Sequence, residues 1–297
     1  MGSALLERDP GCLEDYLALA ERMSGHPVRR LCRDGPLTDL TRTDVAQPAL
    51  FAVCLALTDK ARSMGLEPAM VSGHSLGEYT AAVVAGALTV EDGMHLVCQR
   101  GMLMARVQAE TQGTMAAVIG LEQSHLEGLV EAARGDGVLV IANFNTPTQM
   151  VVSGGVAAVD RLWEAAVEEG AMLIRLEVAG AFHSPLMLPV EDQMRELARN
   201  IEWHDAAIPI VANATAQPVQ AAEEVREALI AQIAGPVRWS ASSLRMGQLG
   251  ADSFLELGPG RAVSAMTRQT LAGADSVSAD SPDALMAFCE QHPQLVA

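Results

Sequence analysis

Aromatic side chains are scarce in this chain: three Trp, two Tyr and five Phe among 297 residues. With so few rings, the core has to be assembled from Ala, Val, Leu and Met, and the abundance of Ala and Leu favours helix. Positive charge is thin too. Twenty Lys and Arg stand against 37 Asp and Glu, a formal net charge of −17. That balance disfavours a nucleic-acid partner, because phosphate backbones are held by Lys and Arg. An acidic chain can still meet an acidic ligand through a local basic patch, and Arg238, Arg245, Arg261 and Arg268 lie close enough in sequence to build one. Cysteine is sparse and odd in number: Cys12, Cys32, Cys54, Cys98 and Cys289, with no C-x-x-C spacing. Neither a disulfide framework nor a zinc site is indicated, and Cys54 and Cys98, set in apolar runs, are expected in the core. No stretch reaches the roughly 18–20 apolar residues of a membrane span. Met1 to Pro10 is charged and lacks the apolar stretch of a signal peptide. The chain is expected to be cytoplasmic.

What the sequence does contain is apolar mass: 49% hydrophobic against 19% charged residues. That is ample for a buried core and argues against disorder. The pattern predicts helices over 12–66, broken near Gly35-Pro36 and again near Pro48. Pro68 to Ser72 is a short apolar run suited to a buried strand, followed by a buried helix over 78–87 and another over 91–109. From 113 to 178 the predicted order is β-α-β-β-α-β: strands over 113–120, 138–143, 149–153 and 172–178, helices over 123–134 and 157–169. This is the ferredoxin-like pattern. Further on, helices are expected over 184–200 and 222–233, strands over 208–212 and 253–257. The tail from Gly273 is low in pattern, with a last helix near 282–291. There are no internal repeats.

The sharpest chemical signal is Gly73-His74-Ser75-Leu76-Gly77. This is G-x-S-x-G between a predicted strand and a predicted helix, an elbow whose sharp turn needs small flanking residues and lifts the serine hydroxyl above the sheet. It sets Ser75 at a helix N-terminus, and the Leu76 N–H becomes the natural first oxyanion donor. A plain structural turn would share the motif without the chemistry. A serine nucleophile needs a base within reach. Of the seven histidines, His183, in a small-residue loop between a strand and a helix, and His292, near the C-terminus, both qualify on position. His74 adjoins the serine and is expected to point elsewhere or line the substrate site. Arg100 stands among Val, Cys, Met and Leu. A buried arginine needs an anionic partner, either a carboxylate of the chain or the carboxylate of a substrate.

Together, Gly73-His-Ser-Leu-Gly-Glu-Tyr79, Gln99-Arg-Gly-Met-Leu-Met104, Gly180-Ala-Phe-His-Ser-Pro-Leu-Met187 and Gly258-Pro-Gly260 resemble the motif series of malonyl-CoA:acyl carrier protein transacylases and of the acyltransferase domains of polyketide synthases. Gln47-Pro-Ala-Leu-Phe51 and Asn143-Phe-Asn-Thr-Pro147 fit the same series, in order, over nearly the whole chain. The resemblance implies Ser75 as nucleophile, His183 as base and Arg100 as the clamp on the malonyl carboxylate. It implies Gln232 as the residue whose backbone carbonyl orients His183, which accounts for the lack of an acidic third member. It also implies that Phe182 selects malonyl over methylmalonyl by excluding an α-methyl branch, a modest discrimination by itself.

The implied fold is an α/β-hydrolase-like body with a parallel sheet, residues 1–111 and 180–297, interrupted by a ferredoxin-like subdomain, 112–179. The implied partners are coenzyme A thioester and acyl carrier protein, with no cofactor or metal, and the implied state is a monomer. The resemblance also implies an opening strand and a Gly-Gln-Gly-Ser-Gln segment whose glutamine gives the second oxyanion amide. Met1-Gly2-Ser3-Ala4 looks like the stretch just after it, so the start is expected to lie downstream of that segment. Two other readings share the elbow: a serine esterase or thioesterase, and a non-catalytic docking subunit.

Overall fold

The computed structural model describes residues 1–178 and 180–296. The expected boundary at Ala179 falls outside the described residues, as does Ala297. The chain opens on helices α1 (Ser3–Arg8), α2 (Pro10–Ser24), α3 (Val28–Asp34), α4 (Leu37–Leu40) and α5 (Thr43–Ser63). The break at Gly35-Pro36 separates α3 from α4. The break expected at Pro48 is absent: α5 runs straight through it. A proline inside a helix removes one backbone hydrogen bond and crowds the carbonyl four residues back. Here that local cost is offset by burial, since Pro48, Ala49, Phe51, Ala52, Leu55 and Leu57 all sit in the main core.

Beyond the elbow come α6 (Gly77–Val84) and α7 (Val90–Glu110). Helices α5 and α7 pack closely, and the contact depends on Gly101, where a Cβ would come within 2.9 Å of the Thr43 carbonyl oxygen. This crossing matters for the site, because Gln47 and Arg100 face each other across it.

A small four-stranded unit follows: β1 (Gly113–Ile119), α8 (Gln123–Arg134), β2 (Leu139–Thr146), β3 (Gln149–Gly155), α9 (Val156–Glu168) and β4 (Met172–Arg175). Its strands lie in the order β2-β3-β1-β4, every pair antiparallel. Side chains alternate between faces along a strand. Thus Ala116 and Val118 pack under α8 and α9 with Leu126, Val130, Val159 and Leu162. Met115 and Ala117 point the other way and join Ala142, Val151 and the ring of Phe182.

The chain then returns to the body through α10 (Leu188–Ala198), β5 (Ile210–Val211), β6 (Pro218–Val219), α11 (Ala222–Ala231), α12 (Trp239–Gln248), β7 (Ser253–Leu257), α13 (Ala262–Thr270), β8 (Asp275–Ala279) and α14 (Pro282–Gln291). Among the described residues, the body's parallel pairing is limited to β7 with β8 and two single bridges, Val71 to Ile210 and Val237 to Asn143 of β2. Pro68 to Ser72 therefore does not form the expected strand. Its neighbour β5 is two residues long, so there is little ladder for it to join. The tail also departs from expectation, because β8 is a regular strand parallel to β7. Cys98 is buried and Cys54 partly so; burial pushes both thiols up to about 12. Among the described residues, no helix is long and apolar enough to cross a membrane.

Candidate active site

The elbow is built on a close approach. A Cβ on Gly73 would lie 2.0 Å from the carbonyl carbon of Gly77, so no larger residue fits and the turn can close. Ser75 takes a left-handed φ of 53°, a conformation that costs on the order of 1–3 kcal/mol for a side chain and persists only where neighbours over-determine it. They do. The Ser75 N–H donates to Asn213 Oδ1 at 2.7 Å, and Asn213 Nδ2 donates to the Gly73 carbonyl at 2.6 Å. On the other side, Gln232 Nε2 donates to the Ser75 carbonyl at 2.9 Å. Asn213 is itself anchored by its own N–H donating to Glu78 Oε1 at 3.1 Å. Because Asn213 occupies the Ser75 N–H, the free amide at the turn is that of Leu76, which no acceptor among the described residues engages.

His183 lies 108 residues away in sequence, yet its Nε2 is 2.7 Å from Ser75 Oγ. It too is left-handed, at φ 55°. Its Nδ1 faces two carbonyl oxygens, Gln232 O at 2.7 Å and Gly235 O at 3.2 Å. Carbonyl oxygens only accept, so the ring proton sits on Nδ1, and Nε2 is left as the acceptor for the serine hydroxyl. Burial, aided by the nearby charge of Arg100, pushes the imidazole down to about 3, so it is neutral at physiological pH.

Arg100 is 2% exposed and is surrounded by neutral groups. It donates to Gln47 Oε1 at 2.6 Å, to Ser75 Oγ at 3.0 Å and to Gln232 Oε1 at 3.3 Å. Its guanidinium carbon lies 5.6 Å from the centre of the Tyr79 ring, and among the described residues its Nε has no partner. The nearby buried carboxyl, Glu78, is pushed up to about 8 by burial, against the opposing pull of the Asn213 N–H and the Arg100 charge. Among the described residues the Arg100 guanidinium forms no ion pair, and it lies 3.0 Å from the serine oxygen. Leaving a charge buried and unpaired is costly, and an anionic group brought to Ser75 relieves that cost.

The structure brings Ser75, His183, Arg100, Gln232 and Leu76 together. His74 turns aside: its Nε2 meets Asn145 Oδ1 at 3.0 Å and its ring tilts against Trp239 at 5.9 Å. Phe182 is half-buried, wedged between the main core and the underside of the small sheet. Three residues of the site went unassigned in the sequence. Gln47 lies in the motif Gln47-Pro-Ala-Leu-Phe51, whose residue types announce no chemistry of their own. Glu78 is a carboxyl in an otherwise apolar helix, a signal that was there to be read. Asn213, which follows a two-residue strand, gave no signal of its own. Chemically, the arrangement can deprotonate a serine, hold an oxyanion at one amide and steady an anionic acyl group.

Comparison with known proteins agrees with this geometry. The model of the acyl transferase domain family matches residues 1–284. The malonyl CoA-acyl carrier protein transacylase of Bacillus subtilis is 33% identical over 287 residues, covering 96% of this chain and 90% of that protein. The crystal structure of the malonyl-CoA:acyl carrier protein transacylase of Xanthomonas oryzae pv. oryzae superposes with a TM-score of 0.93 at 34% identity, covering 98% of this chain and 93% of that one. A malonyl-transacylase solved in complex with its type II polyketide synthase acyl carrier protein superposes with a TM-score of 0.93 at 30% identity, covering 98% and 94%.

Proposed function

The chain belongs to the acyl transferase domain family, and from that membership we propose that it moves a malonyl group from malonyl-CoA to the phosphopantetheine thiol of an acyl carrier protein through a malonyl-Ser75 ester. The observation that carries the reading is Arg100: a buried cation with only neutral partners, within hydrogen-bond reach of the serine oxygen. An acyl group ending in a carboxylate fits it; a plain acyl group does not.

In this mechanism, His183 Nε2 takes the proton of Ser75 Oγ as the oxygen attacks the thioester carbonyl. The Leu76 N–H receives the developing oxyanion. The carbon–sulfur bond breaks, and the departing thiolate takes the proton from His183. Malonyl remains on Ser75, its carboxylate held by Arg100. The carrier thiol then gives its proton to His183 and attacks the ester. Ser75 Oγ leaves and recovers the proton. The Gln232 carbonyl keeps Nδ1–H oriented throughout, as a carboxylate does in a Ser-His-Asp triad. Phe182 guards the acyl pocket against an α-methyl branch, and His74 lines the substrate side of the elbow.

We read the architecture as an α/β-hydrolase-like body over 1–111 and 180–297 with a ferredoxin-like unit over 112–179, a reading supported by the strand order β2-β3-β1-β4. The reading calls for a cytoplasmic monomer without cofactor, serving fatty acid or polyketide synthesis. An esterase or a docking subunit is less well supported, because neither needs the buried Arg100. The test is intact-protein mass after brief exposure to malonyl-CoA. A malonyl adduct, lost in Ser75→Ala and weak with methylmalonyl-CoA, is expected. A folded protein that takes up no malonyl overturns the reading.

A further inference from the structure

A second set of cations lies beside the elbow and has no part in the steps above. A groove of about 400 Å³ is lined by Thr215, Gln217, Arg238, Leu244, Arg245 and Gln248 among others, none of them acidic. In a chain of net charge −17, two arginines facing one groove without a carboxylate among its walls is an unusual local balance. Neither guanidinium is used up. Arg238 spends its Nε on the Ala214 carbonyl at 3.0 Å and lies 5.2 Å above the Phe144 ring, which fixes its plane and leaves its terminal nitrogens for something else. Among the described residues, Arg245 reaches only the Gln248 amide oxygen, at 3.4 Å, and its buried Nε has no partner. The other two arginines of that run go elsewhere: Arg268 donates to the Ser276 carbonyl, and neither it nor Arg261 lines the groove.

The groove is tied to the catalytic elbow by short links. The Arg238 N–H donates to the carbonyl of Asn213, the residue that clamps Ser75. Phe144, beneath Arg238, neighbours Asn145, the partner of His74, and Trp239 packs on His74. Ser75, His183 and Arg100 are not among its walls. An occupant that uses both places must therefore be long, with a reactive group at one end and an anion at the other. A pantetheine arm has that form, a thioester at one end and a phosphate ester at the other.

We propose that the Arg238–Arg245 groove binds the phosphate of the thioester carrier and so holds the pantetheine arm in register with Ser75. This rests on the transferase reading. A fixed guanidinium fork suits a phosphate, which it can engage with two parallel hydrogen bonds, and the local positive field offsets the repulsion that an acidic protein exerts on an anionic substrate.

The test compares thioesters with and without phosphate. For the parent protein, kcat/KM for Ser75 acylation is measured with malonyl-CoA and with malonyl-N-acetylcysteamine, which has no phosphate. The ratio of the two is expected to fall about tenfold in Arg245→Gln, the loss of one charge-assisted contact. Gln248→Glu keeps both arginines, sets a carboxylate beside Arg245 and lowers the same ratio, so the proposal does not depend on one variant folding. The second step is compared likewise, with a phosphopantetheinyl carrier protein and free pantetheine as acceptors. A fall in both steps assigns the groove to the pantetheine phosphate; a fall for malonyl-CoA alone assigns it to the phosphates of the nucleotide end. A ratio that is unchanged in both steps and both variants overturns the proposal. A parent protein acylated by neither thioester brings down the transferase reading itself, and that is seen before any variant is made.

Discussion

In the proposed mechanism, Arg100 selects what Ser75 accepts. Its three hydrogen-bond partners are an amide oxygen of Gln47, the oxygen of Ser75 and an amide oxygen of Gln232, so a malonyl carboxylate brings the site its only full negative charge. Arg100→Gln is expected to lower kcat/KM for malonyl transfer on the order of a hundredfold, the loss of a bidentate ion pair. Acetyl-CoA, with nothing for the guanidinium to hold, should be affected far less. Steady-state kinetics with both thioesters checks this, and equal losses would remove Arg100 from substrate selection. Glu78 offers a second test, through stability. Its carboxyl is pushed up to about 8 in the fold, mainly by burial, against 4.5 when exposed. Between those values the folded state holds a proton that the unfolded state has released. Stability therefore falls as pH rises through the window. Glu78→Gln keeps an oxygen for the Asn213 N–H and has no proton to lose. Its Tm, relative to the parent, is expected to climb from pH 5 to pH 9; a constant difference would mean that Glu78 ionises normally. His183 acts at the other end. Depressed to about 3 from 6.5, it makes the fold lose stability as pH drops through that range, where the unfolded chain takes up a proton first.

At the scale of elements, the crossing of α5 and α7 sets the distance between Gln47 and Arg100. Gly101→Ala would put a methyl group 2.9 Å from the Thr43 carbonyl oxygen. Overpacking of this kind typically costs about 1–3 kcal/mol. Urea unfolding should register that loss, and KM for malonyl-CoA should rise with it because Arg100 shifts against its partners. A stability loss with unchanged KM would mean that the crossing serves only packing. The small unit is legible because its strands and helices alternate with clean periods; its element order matches expectation, although the last strand, expected over 172–178, ends at Arg175. The body is less so. In α12, Trp239, Ser242, Ser243 and Met246 are buried at helical spacing, but Ser and Gly are weak helix formers and the helix exists because tertiary burial selects it. In β8, Asp275-Ser-Val-Ser-Ala279 becomes a strand by pairing with β7, a contact that no local pattern announces. The same division holds in the site. Ser75, Arg100, His183 and Gln232 stand in short motifs, whereas Asn213 acts on a residue 138 positions away and Gln47 on one 53 away.

Across the whole molecule, charge differs at three places. The exterior is acidic, with a formal total of −17; the groove beside the elbow is basic; and the innermost charge, Arg100, is a cation with no counterion of its own among the described residues. In the proposed mechanism, taking up malonyl pairs that cation, and pairing a buried charge stabilises the fold that contains it. The acylated protein is thus expected to melt higher than the empty one, on the order of 4 °C for a chain of this size. The acetylated protein should not. Differential scanning calorimetry of the two esters beside the free protein decides it, and identical melting would mean that water already satisfies the guanidinium. The unpaired arginine then has a bearing on timing. On the proposed mechanism the loaded protein is the more stable form, so wherever malonyl-CoA is plentiful it is expected to idle with its cargo aboard, leaving the pace of delivery to the acceptor that comes to collect it.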